Sequence, residues 1–347
     1  MSVAGPAKAA LDNLNPEQLS FIQSLPKAEL HAHLNGSIPI SILQELAREY
    51  QSGSSTGVSN EVVNAGIEKL LLGPSLDEIS DFFALFPAIY ALTSTPISLA
   101  GAARAVLSTF LDGEHPQCTY LELRSTPRKT DSMSREDYMR TILDEAERYP
   151  KDQVGVIVSL DRRMRNDVLQ ECLDVARKLK EEGRRVVGVD LCGDPMAGNM
   201  EDFAKYFAEA KAAGLGITLH IAETVHNTPE ETMKLLSFGP DRLGHATFLN
   251  DEAKEFVVKN KICIEICLSS NLLCKTVTTL EFHHVRHYLK YNHPIAICTD
   301  DILPFRTSLD AEYALLLAPA PFGLGLSEGE VREAAEMSLR SSFRSRI

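Results

Sequence analysis

No stretch of this chain approaches the roughly 18 consecutive apolar residues of a membrane-spanning helix, and the opening segment MSVAGPAKAALDNLNPEQ has no continuous apolar core of the kind a secretory leader carries. A membrane association is not expected, and the cytosol is the expected compartment. Cysteine is present but unorganised: the seven residues at 118, 172, 192, 263, 267, 274 and 298 are odd in number, scattered, and contain no CxxC pair. That pattern argues against a disulfide framework or a zinc knuckle and fits reduced, mostly buried small hydrophobes. Positive charge is scarce, with 35 Lys+Arg against 48 Asp+Glu and a formal net charge of −13. The deficit excludes a broad nucleic-acid or anionic-membrane surface and leaves a small molecule as the expected partner of a monomeric protein. Internal repeats and linkers of domain-boundary character are also missing, so residues 1–347 are expected to form one domain.

What the chain does contain is a regular alternation of short β-branched runs with longer amphipathic stretches, the signature of βα units around a parallel sheet. Eight strands are predicted, at 27–34, 119–125, 154–160, 186–193, 216–223, 242–249, 262–270 and 294–300. Eight such units predict a (β/α)₈ TIM barrel. Helices are predicted between them over 167–183, 203–214 and 251–260, the first stopped by Gly183. The long gap between the first two strands holds further helical segments at 75–93 and 97–113, read as part of a helical insertion over about 60–113, and a Gly/Ser-rich connector at 51–60.

Polar residues at the strand ends turn the barrel into an active-site hypothesis, because catalytic groups in this fold sit at the C-terminal ends of the strands. In HAHLNG (31–36), His31 and His33 are two apart on a strand and so share one face. LHIAE adds His220 and Glu223, RLGHAT adds His245, and CTDD adds Asp300 and Asp301. His31, His33, His220 and Asp300 make a nitrogen and oxygen donor set for a divalent ion; one zinc is the expected occupant, with iron, cobalt and manganese compatible with the same ligand types. Zinc would lower the pKa of a bound water to about 7 and so supply a hydroxide nucleophile. His245 is then placed to hold that water, and Glu223 to shuttle a proton.

Taken in order, SLPKAELHAHLNGS, VVGVDLCGDP, LHIAET, RLGHAT and CTDD resemble the adenosine/AMP deaminase branch of the metal-dependent amidohydrolases over nearly the whole barrel. The resemblance implies the same metal ligands and a hydrolytic attack at purine C6, with Asp300 among the catalytic groups. It further implies that Glu223 protonates N1, His245 orients the hydroxide, the Gly193 amide meets N3, and Asp301 holds N7. One departure points to a nucleotide substrate. Asn35 stands where adenosine deaminases carry an aspartate near the ribose 5′ end, which removes a charge that would repel a phosphate. Strand two ends in Ser125, Thr126, Pro127 and Arg128, whose hydroxyls and guanidinium suit a phosphate monoester. The combination resembles the adenosine deaminase-like group that converts N6-methyl-AMP to IMP and methylamine. By the same resemblance Asp161 faces the ribose, His33 and Asn35 contact substrate, and Tyr90 replaces an expected histidine beside it. Arg162 and Arg163 read equally well as solvated strand-end charges.

Two motifs carry no function at this stage. HHVRH (283–287) has helical i, i+4 histidines but lacks the glutamate of HExxH, and GLGLSEGE (323–330) reads as a turn and a helix cap. ILPFRTSL (302–309) places a proline after the ligand aspartate, and SLRSSFRSRI (338–347) is a short basic closing segment. The alternatives to a nucleotide deaminase are a deaminase of adenosine itself and a catalytically silent nucleotide-binding homologue.

Overall fold

Eight parallel strands follow one another around a single sheet in the order β1 to β8, in a computed structural model that describes residues 3–50, 59–72 and 86–347. They are β1 (Ala28–His33), β2 (Tyr120–Ser125), β3 (Val154–Asp161), β4 (Val186–Cys192), β5 (Gly216–Ile221), β6 (Arg242–His245), β7 (Cys263–Ile266) and β8 (Ile295–Ile297). The two ends of the sheet meet where Ala32 bridges Asp300: the Asp300 amide donates to the His31 carbonyl at 2.8 Å and the His33 amide to the Asp300 carbonyl at 3.2 Å. The bridge nearly closes the barrel and fixes the end of β1 and the segment after β8 side by side. The TIM barrel expected from the alternation is therefore the fold.

All eight predicted strands are present, and three are at least four residues shorter than expected, the run 294–300 keeping only Ile295–Ile297 in the sheet. The run 242–249 leaves the sheet at His245, where His245 and Ala246 take left-handed φ values of 62° and 48°. The run 262–270 ends at Ile266, and Leu268–Leu273 turns into a helix. Cys267 therefore lies beyond β7, although it shares a buried cluster with Cys263. The remaining helices form because one face is apolar. In Asn166–Glu181, Leu169, Cys172, Leu173, Val175, Ala176 and Leu179 are buried, a helical spacing against the sheet. Ser327 caps Glu328–Arg340 reciprocally with Glu330, as the reading of 323–330 as turn and cap required. Between β1 and β2 run the helices Ile40–Glu49, Asn60–Leu72, Phe86–Leu92 and Pro96–Leu111. Most of the 51–60 connector and the segment 75–85 of the expected helix lie outside the described residues. No described helix is long and apolar enough to cross a membrane, and all seven cysteines are free.

The closing segment 338–347 plugs the floor of the barrel. Phe343 is buried, its ring lies 3.7 Å from the Arg242 guanidinium, and its amide donates to Glu122. Arg242 in turn donates to Glu122 at 2.6 Å and to Glu265 at 2.7 Å.

Candidate active site

The polar groups at the other end of the barrel converge on one cavity of about 190 Å³, walled among others by His33, Asn35, Tyr90, Ser125, Thr126, Asp161, Gly193, His220, Glu223, His245, Asp300 and Asp301. The Nε2 atoms of His33 and His220 face each other at 3.2 Å. Asp300 Oδ1 lies 3.7 Å from His31 Nε2 and 3.6 Å from His33 Nε2. Donor atoms of His31, His220 and His245, and of His31, His33 and Asp300, form sets lying within 4.8 Å of one another. These separations fit a metal, since ligand atoms about 2.0–2.1 Å from one zinc ion lie about 3 Å apart. His31 Nε2 is also fully buried with no hydrogen-bond partner, which is costly for an imidazole nitrogen unless an ion takes it.

Two of the candidate ligands, His31 and His220, are aimed by a second residue. His31 Nδ1 is 2.6 Å from Glu265, which also accepts from Arg124, Arg242 and Thr218. His220 Nδ1 lies 3.0 Å from both Asp190 and the Leu191 carbonyl. Such contacts fix the tautomer so that Nε2 is presented to the ion. Burial lowers the pKa of His31 and His33, with neighbouring cations adding to it, so both stay neutral. Burial works against charge on His220 as well, but the Asp190 carboxylate outweighs it and raises that histidine. Glu29 joins the closure, accepting from the amides of His31 at 2.8 Å and Thr299 at 3.0 Å; its burial pushes the acid up to about 7.

Backbone strain is concentrated here. Ala222, His245, Ala246 and Asp300 all have left-handed φ, a conformation costing of order 1–3 kcal/mol at a non-glycine residue and persisting only where the surroundings enforce it. Two glycines are needed for space. A Cβ on Gly36 would overlap the Asp301 carboxylate, and Gly193, at φ 94°, would drive one into Asp161. The acids themselves are tuned. Burial raises Glu223, whose Oε1 is 3.7 Å from His245 Nε2, and burial together with the Asp300 charge raises Asp301. Cys267 has its thiol near His245 and Asp300, but burial holds it well above the usual thiol range and thus protonated.

Not every sequence candidate reaches the cavity. Ser125 and Thr126 do, whereas Pro127 and Arg128 are not among its walls. Arg128 stacks over the Tyr90 ring at 4.0 Å, donates to the Tyr90 carbonyl at 3.1 Å, and keeps a buried Nη1 without a partner. Asn35 accepts from Tyr138 Oη at 3.1 Å, and Tyr138 pairs with Ser125 at 2.9 Å. Arg163 lines the cavity in a two-point pair with Asp161. Arg162 is not solvated: it is buried and donates to the His220 carbonyl at 2.7 Å. The residues missed from sequence are the supporting ones, Asp190, Arg124, Arg242 and Glu265. A signal was available for Asp190 and Glu265, each the one charge in an otherwise apolar buried strand.

A parallel barrel whose mouth gathers imidazoles and buried carboxyl groups able to hold a metal ion defines a class, that of the metal-dependent barrel enzymes. The chain belongs to the adenosine deaminase family, whose model, Adenosine deaminase, matches residues 26–346. It is accordingly a hydrolytic deaminase acting on a C–N bond. It is 34% identical to the N6-mAMP deaminase of Arabidopsis thaliana, over 94% of this chain and 94% of that protein. It is 33% identical to the N6-Methyl-AMP deaminase of Homo sapiens, over 95% and 92%. The crystal structure of arabidopsis N6-mAMP deaminase superposes with a TM-score of 0.82 at 34% identity, covering 93% of this chain and 95% of that one. A crystal structure of arabidopsis ADAL complexed with IMP gives 0.82 at 33% identity, covering 93% and 94%.

Proposed function

We propose that this deaminase acts on 6-aminopurine nucleotides, with N6-methyl-AMP preferred and IMP and methylamine as products. The observation that carries the purine reading is the chemistry of three groups on the cavity wall. N1, N3 and N7 of a 6-aminopurine are all acceptors, so the protein must supply donors. Glu223 and Asp301, both raised by burial, can each present a carboxylic O–H, and Gly193 can present its amide N–H. Glu223 then gives its proton to N1 as C6 becomes tetrahedral, Asp301 holds N7, and Gly193 holds N3. His245 holds the attacking water on the face of C6 that the metal-binding cluster occupies.

His31, His33, His220 and Asp300 would hold one divalent ion per chain, zinc in this reading. That ion would supply Lewis acidity that makes water nucleophilic at neutral pH. The nucleotide preference rests on the neutral Asn35 and on the Ser125, Thr126 and Arg128 region, with Pro127 shaping the turn, Tyr90 covering Arg128, and Asp161 facing the ribose. The reading has the chain act as a monomer in the cytosol. Absorbance assays on N6-methyl-AMP, AMP and adenosine test it. The expected order of kcat/KM is N6-methyl-AMP, then AMP, then adenosine. Faster turnover of adenosine than of either nucleotide would overturn the phosphate reading, and nucleotide binding without amine release would overturn catalysis.

A further inference from the structure

The HHVRH segment, without a role from sequence, braces the active site. Its helix begins only at Val285, so His283 precedes it, and the i, i+4 pairing on a helix does not form. Instead the rings of His283 and His284 stack at 4.4 Å with 18° between planes. His284 Nε2 lies 2.8 Å from the carbonyl oxygen of His245. His283 accepts the Val285 amide at Nδ1, 3.1 Å away, and lies 3.1 Å from Asn271 Oδ1 through Nε2. Acceptance at Nδ1 fixes the His283 proton on Nε2, and only a protonated Nε2 can meet a carbonyl oxygen, so His284 carries its proton there too. Asn271, thus oriented, directs its amide nitrogen toward Thr247 Oγ1 at 3.3 Å. The two histidines consequently hold the chain at residue 245 and again at 247.

The hold falls where the backbone needs it. Pairing of β6 with β7 ends at Gly244, so the His245 carbonyl has no partner across β7. The next two φ angles, at His245 and Ala246, are left-handed without glycine. A buried carbonyl in a strained turn is stable in one orientation only while something hydrogen-bonds to it. The orientation of that peptide sets where the His245 imidazole points.

We propose that His284, with His283 behind it, is the positioning residue for His245. Its Nε2–H fixes the His245 peptide and thereby the aim of the imidazole at the reacting water. The inference rests on His245 orienting that water, as proposed above. The test compares His284→Leu, His284→Asn and His284→Gln in the metal-loaded full chain. The glutamine amide nitrogen reaches the place of Nε2 and the asparagine nitrogen falls short of it. The Leu and Asn variants are expected to lose about 10- to 100-fold in kcat with KM changed less than about threefold, and the Gln variant to stay within about threefold of wild type. Crystal structures should show the His245 peptide out of its left-handed conformation in the Asn variant and retained in the Gln variant. Equal kcat for Gln and Asn, or an unmoved His245 in the Asn variant, would overturn the proposal. A wild-type chain inactive on all three purines would instead sink the substrate reading, while the position of His245 in the variant structures still decides the positioning role.

Discussion

The two ends of this barrel treat buried charge in opposite ways. At the floor, Arg242 is shared between Glu122 and Glu265, Glu122 also accepts the Phe343 amide, and the Phe343 ring covers the guanidinium. At the mouth, His31 Nε2, His245 Nδ1 and Asp301 Oδ1 are buried without hydrogen-bond partners, and the backbone is left-handed at His245 and at Asp300. The charged groups of the floor are paired with each other, whereas these polar atoms of the mouth are left free to bind. The network around Glu265 links the two, because the same carboxylate that is anchored from below by Arg242 orients His31 above. Preorganisation at the top therefore depends on saturation at the bottom.

The largest effects are expected at the mouth. Glu223→Gln removes the proton proposed for N1 and is expected to lower kcat by about 10³-fold. Its melting temperature should stay within about 2 °C of wild type, since no hydrogen-bonded partner is orphaned. Thermal melts beside steady-state assays check both halves. At the floor the pattern should reverse. Arg242→Met leaves Glu122 buried without a cation and Glu265 with Arg124 alone, and denaturant titration is expected to show a loss of about 3–5 kcal/mol. Because Glu265 aims His31, the folded variant should also bind zinc about 10- to 100-fold more weakly in a competition titration with a chelator.

Two smaller tests sharpen the contrast. Glu312, between the amide of Ser269 and the hydroxyl of Thr307, is pushed by burial from the ordinary carboxylic value of 4.5 up to about 7. A raised carboxylate pKa means the folded chain keeps a proton that the unfolded chain releases, so stability falls as pH rises from about 4.5 to 7 and levels off above. Glu312→Gln should flatten that window, a difference of the order of 2 kcal/mol in urea melts at pH 5 and pH 8. Asn35→Asp, finally, puts a charge back beside the proposed phosphate region. It is expected to shift the adenosine to AMP ratio of kcat/KM about tenfold toward adenosine, read directly from the substrate assays.

The convergence of much of the candidate site was legible because strand-end chemistry is local. HxH on β1, and the residues closing β5, β6 and β8, follow from alternation and from where barrel strands end. The boundaries of β6 and β7 were not legible. RLGHATFL and ICIEICLSS remain apolar past the point where His245 turns left-handed and Leu268 starts a helix, and apolar content alone does not say which geometry buries it. Arg128 read as a phosphate ligand by residue type, yet it stacks on Tyr90, a partner contributed by a helix 38 residues earlier in the chain.

The amino-acid sequence by itself determined the eight-unit barrel and the identity of the groups at its mouth, since both follow from periodicities and residue chemistry that act within a few residues. Only the tertiary structure decided which nitrogen of each histidine faces inward, which charges support it from behind, and what the His283–His284 pair holds. Those depend on contacts between strands and loops distant in the chain, such as Glu265 with His31 and His284 with His245, which burial makes strong and no local pattern encodes.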